Sequence, residues 1–172
     1  MQKKAIRKLF SLWTGELTAT VLFAVLWLLF IQQQKWADPY LISFPPIYAF
    51  VVLEFILFQG SLYWFLKWTQ AKQKKYIGLP SAQLRMFLLF KKINFVLILI
   101  GALVLLYQII TFSVGHYWFT FLYAFAIIEH INYYHIRLSY QTSEELREFF
   151  HQKKFRPSIL AKELAMLKVK VD

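Results

Sequence analysis

Long apolar runs alternate along this chain with short polar ones that are mostly basic, a rhythm that predicts membrane-crossing helices rather than the two-faced elements of a water-soluble domain. The first run, Leu9 to Ile31, holds one formal charge, Glu16. At 1.5 Å per residue it crosses a hydrocarbon core of about 30 Å. The second, Leu41 to Leu66, is interrupted only by Glu54 and Gln59, with Pro45 and Pro46 near its start, where a missing backbone donor is tolerated. From Ile93 to Ile128 there is no formal charge when His116 is neutral. As one helix this stretch would reach about 54 Å, too long for one crossing. The pattern therefore predicts a break at Thr111 to His116, where Ser113 and Gly115 supply turn chemistry. Helix three is then Ile93 to Ile110 and helix four Tyr117 to Leu138.

The polar stretches carry their own signals. Trp36 and Tyr40 mark one membrane interface, Trp64 and Trp68 the other. In the basic connection Lys67 to Lys92, Gly78 and Pro80 break the chain, and Ser81 is placed to cap a helix that extends helix three through AQLRMFLLFKK. Beyond Tyr140, Thr142 and Glu145 have capping-box spacing and Pro157 suits the first turn of a second short helix. Leu160, Leu164 and Leu167 form an apolar line opposite Lys162 and Lys168, which predicts amphipathic helices that dock under the bundle or on the headgroups. The expected fold is all-α: an integral-membrane four-helix bundle over residues 1–140 and a cytoplasmic helical tail over residues 141–172.

Composition sharpens this. At 59% hydrophobic and 20% aromatic, 172 residues cannot hide their apolar surface without lipid. The net charge of +11 raises nucleic acid as a partner, but the basic residues sit between apolar blocks, where they set topology. All but Lys35 of the 20 Lys and Arg fall on the side of the amino-terminal arm, the middle connection and the tail. The positive-inside rule then puts both ends in the cytoplasm. No small-residue cleavage site follows in Gln32 to Asp38, so the first run reads as an uncleaved helix. With no cysteine, thiolate chemistry, disulfides and zinc-finger sites are excluded.

Candidate chemistry lies in the charges inside the spans. Counted from the span ends, Glu16, Glu54 and Glu129 each come out about 10 to 12 Å above the cytoplasmic boundary, which predicts one layer of three carboxyls. Such a layer either lines a wet cavity or is hydrogen-bonded to Asn94, Asn132, Tyr133 and backbone to hold the bundle together. His130 and His135 are five apart and cannot share a metal from a regular helix, and they do not face each other as haem ligands would, so no metal or cofactor is expected. His116 reads as a loop residue. Arg137 is expected to snorkel to the headgroups or to pair with Glu129. Lys72, Lys74, Lys75, Arg85, Lys153, Lys154 and Arg156 are expected to meet anionic lipid, at about 1 kcal/mol for each charge near the surface.

The string EHINYYHIRLSY followed by RPSILAKEL resembles a group of small four-helix bacterial membrane proteins, some labelled general stress proteins, over about the last third of the chain. In that group a Glu, Asn, Tyr and His cluster closes the last helix and a serine-leucine helix follows a basic stretch. The resemblance implies a Gram-positive plasma-membrane protein without established activity, with Glu129, Asn132, Tyr133 and His135 as the matched positions. The expected role is a non-enzymatic membrane factor that works through lipid or protein contacts at the cytoplasmic face, with self-association open. The alternatives are a transporter or oligomeric channel using Glu54, Glu129 and His130, and a lipid-modifying enzyme.

Overall fold

The structure is a computed structural model that describes residues 2–33, 41–73, 78–111, 116–136 and 156–169. Its regular elements are helices: α1 (Gln2–Gln33), α2 (Phe44–Lys72), α3 (Ser81–Ile110), α4 (His116–Tyr134) and α5 (Ile159–Val169). Among the described residues, three helices are long and apolar enough to cross a membrane: Lys3–Gln32, Phe44–Lys72 and Ser81–Ile110. The 19-residue α4 carries Glu129, His130 and Asn132 in its last two turns, and this polar end sets it apart from those three.

The first four helices run alternately up and down, as cross-helix contacts show at both ends. Trp13 stacks on Trp68 at 5.1 Å and Trp27 on Phe50 at 4.5 Å, so α1 and α2 are antiparallel. Tyr48 donates to the Leu97 carbonyl at 2.6 Å while Tyr63 meets Phe87 edge to face, which fixes α3 against α2. Tyr123 donates to the Ile98 carbonyl at 2.6 Å, and Lys91 to the Tyr134 carbonyl at 3.3 Å, which reverses α4 on α3. The end of α1, the start of α2, the end of α3 and the start of α4 thus lie at one end of the bundle, while Lys3 to Lys8, Lys67, Lys72, Arg85 and α5 share the other, the basic end.

Helix α2 is the hub. Half of its most apolar 18-residue stretch is buried, against none of that in α1, and it touches α1, α3 and α4. The outward faces of the others are apolar, with Val25 and Leu28 of α1 and Leu103 and Ile110 of α3 all exposed. Two glycines set how closely the helices approach. A Cβ on Gly60 would overlap the Tyr133 phenol, and one on Gly101 the Tyr123 ring, so each tyrosine occupies the notch its glycine leaves. Small residues at such crossings let backbones meet where lipid gives no hydrophobic drive to association.

Several element ends differ from the sequence reading for local reasons. The basic arm is helical and forms the start of α1, because nothing from Gln2 to Leu9 breaks a helix. Pro45 and Pro46 do sit in the first turn of α2, which starts at Phe44 rather than Leu41. Ser81 does not cap α3: Pro80 takes the non-helical cap position, and Leu84 donates to its carbonyl at 3.0 Å. The AQLRMFLLFKK segment is the first part of an unbroken α3. Helix α4 ends at Tyr134 rather than Leu138, because the Ile136 amide closes back on the Ile131 carbonyl at 2.9 Å and Ile136 then bridges to Pro157. Pro157 stands before the cap of α5, and Ser158 is the cap, its Oγ accepting the Ala161 amide at 3.0 Å. Leu160, Leu164 and Leu167 are buried, so the predicted apolar line is the face by which α5 docks on the bundle. The first predicted tail helix lies outside the described residues.

Gly60→Ala should force Tyr133 out of its notch and cost about 1–3 kcal/mol, the usual penalty of overpacking. Thermal unfolding of the purified chain in detergent reads this, and Gly15→Ala, whose Cβ would meet nothing within 4 Å, serves as the neutral control.

Candidate functional site

Two polar groups cross the bundle side by side at the basic half. In the first, Gln59 of α2 and Asn94 of α3 exchange a pair of amide hydrogen bonds, Gln59 Nε2 to Asn94 Oδ1 at 3.0 Å and Asn94 Nδ2 to Gln59 Oε1 at 2.8 Å. Tyr134 of α4 donates its hydroxyl to the same Gln59 Oε1 at 2.6 Å. All three side chains are buried, and one amide ring joins three helices. In the second, Tyr133 donates to Glu16 Oε2 at 2.5 Å, and Asn132 Nδ2 donates to Glu129 at 3.2 Å. Glu129 lies close enough to Glu16 and Tyr133 to interact with both. Consecutive tyrosines at the end of α4 therefore serve different networks: Tyr133 turns toward α1 and Tyr134 toward α2 and α3.

Two members of the predicted carboxyl layer, Glu16 and Glu129, come together, and Glu54 does not. Tyr133 reaches Glu16 past Gly60, and Glu54 is six residues farther along α2, about 9 Å away along the axis. The expected layer of three is therefore a pair, Glu16 and Glu129, gathered about Tyr133. Glu54 Oε1 is buried with no hydrogen-bond partner among the described residues. Asn94 joins the amide ring rather than the carboxyls. His130 and His135, expected on different faces, have rings 5.6 Å apart, because the chain leaves the helix at Tyr134 and the regular 100° step no longer applies. No three His, Asp or Glu side chains among the described residues converge as metal ligands do.

The sequence reading passed over the roles of four residues. Gln59 was legible only as an interruption of a span, and the signal for its role is that Asn94 stands at the matching depth of the antiparallel neighbour. Lys67 and Glu163 form an ion pair at 2.5 Å between α2 and α5. Ser158 donates its hydroxyl to the Tyr133 carbonyl at 2.5 Å while it caps α5, and its own amide donates to the His135 carbonyl at 3.2 Å. Of the expected headgroup contacts, Lys72 lies 3.8 Å over the Trp68 ring, and Arg85 and Arg156 are exposed. Lys74, Lys75, Arg137, Lys153 and Lys154 lie outside the described residues.

Two hollows flank the end of α4. One, about 380 Å³, lies between α1, α2, α4 and α5, with Glu16, Gln59 and Tyr133 on its polar side and Leu9, Leu12 and Trp64 on its apolar side. The other, about 1070 Å³, lies between α3, the end of α4 and α5. Comparison with protein families, with curated proteins and with solved structures finds no match to this chain.

Asn94→Leu leaves the Gln59 amide unsatisfied and should lower stability by about 1–2 kcal/mol, whereas Gln59→Leu with Asn94→Leu should lose clearly less than the two single changes added together. A double-mutant cycle on unfolding in mild detergent measures the difference.

Proposed function

We propose that the chain is an integral membrane protein with four crossings and both ends at the cytoplasmic face. It acts without chemistry of its own, through contacts with lipid or protein at that face. Its setting is a bacterial plasma membrane, in line with the resemblance carried by EHINYYHIRLSY and RPSILAKEL. The observation that carries the proposal is the construction of the basic end. Three separate ties hold α5 there: the Ser158 bonds to the end of α4, the Lys67–Glu163 ion pair, and the buried leucine line. A built surface of this kind, with Lys and Arg around it, is suited to headgroups or to a partner rather than to turnover. The carboxyls support the same reading. Glu16 takes a hydrogen bond from Tyr133 and so ties α1 to α4, and Glu129 takes one from Asn132 within α4, a use that satisfies polar groups in lipid without a conduction path.

One observation favours a second reading. The 380 Å³ hollow beside Glu16 has the size and the mixed lining of a small amphiphile site, as a carrier would need. Glu16→Gln keeps the shape of the side chain, so loss of flux in liposomes from a folded variant would favour transport. Unchanged behaviour supports the contact role.

The chain has no cysteine, so single-cysteine labelling tests the topology without background. Lys35→Cys and Gly115→Cys should react with an impermeant thiol reagent from outside intact cells, and Lys72→Cys and Asp172→Cys only after lysis. Outside labelling at Asp172→Cys would mean an odd number of crossings and end the proposal.

A further inference from the structure

The 1070 Å³ groove between α3, the end of α4 and α5 joins two chemistries in one hollow. Arg85, Lys91 and Lys92 line it together with His130, and so do the apolar Leu89, Phe95 and Val96. None of its lining residues among those described is acidic. Lys91 is held in place by its bond to the Tyr134 carbonyl. His130 is 6% exposed, and its Nδ1 is buried without a hydrogen-bond partner among the described residues, an unmade hydrogen bond in a groove that three cations line. Leu89, Phe95 and Val96 are more than half exposed and continue into the outward apolar face of α3, one of the helices apolar enough to cross a membrane.

We infer that this groove holds the phosphate and one acyl chain of an anionic phospholipid. Arg85, Lys91 and Lys92 take the phosphate charge, and His130 Nδ1 supplies the hydrogen bond that the protein leaves unmade. The acyl chain lies along Leu89, Phe95 and Val96, where a hydrophilic polyanion would gain nothing. This rests on the reading that the basic end meets lipid headgroups, and it adds which lipid class binds and where.

The test uses the full chain in detergent and native mass spectrometry with phosphatidylglycerol and phosphatidylcholine as probes. The wild type should retain phosphatidylglycerol in preference. Arg85 and Lys92 are exposed, so Arg85→Gln with Lys92→Gln leaves the packing intact and should lower phosphatidylglycerol retention about thirtyfold, the scale of two headgroup-level charges. His130→Gln should lower it further. Lys3→Gln with Lys4→Gln removes the same charge from α1 and should change nothing. Equal retention of both lipids by the wild type would overturn the headgroup reading and this inference with it. Equal loss from the groove and α1 variants would leave lipid contact standing and overturn the groove as its site. Displacement of phosphatidylglycerol by excess inorganic phosphate alone would overturn the commitment to a lipid.

Discussion

A polar group that leaves water for lipid must find its partner within the protein, and the Gln59–Asn94 pair is where this chain meets that demand most fully. Each amide both donates and accepts, and the spare lone pair on Gln59 Oε1 takes the Tyr134 hydroxyl. The geometry is intolerant of slippage. Sliding α3 by one residue on α2 would break both bonds and leave the buried Asn94 amide and Gln59 Nε2 without partners. The amide ring thus sets the register that the apolar faces alone leave loose, since any leucine packs about as well against the next one.

That register propagates. With α2 and α3 fixed, Gly60 and Gly101 present their notches at the right depth for Tyr133 and Tyr123, and α4 has one place to sit. With α4 in place, Tyr133 reaches Glu16 and holds α1, which otherwise leans on α2 through the aromatic stacks of Trp13 and Trp27. The tail helix follows, because the carbonyls of Tyr133 and His135 accept the bonds that start it.

What could be read from residues alone divides along the same line. The all-helical class and the presence of long apolar helices follow from apolar runs and from backbone rise, and the docking face of α5 follows from leucines one turn apart. Which polar residues meet does not follow from depth along isolated helices, as Glu54 shows: depth fixes a position along an axis and leaves open which side chains touch. The pairing of His130 with His135 was hidden because helix periodicity was extended past the residue where α4 ends. Gln59 and Asn94 were both visible as amides in apolar spans, and treating them as a pair would have supplied the register.

The α3, α4 and α5 groove has its third wall from residues near the carboxyl end of the chain, Ala161, Leu164 and Ala165. A ribosome delivers those residues after α3 and α4, when the earlier helices have already met the insertion machinery. The groove is therefore absent throughout insertion and closes only once synthesis has passed α5, so the bundle can choose its neighbours in the bilayer before this hollow can retain a guest.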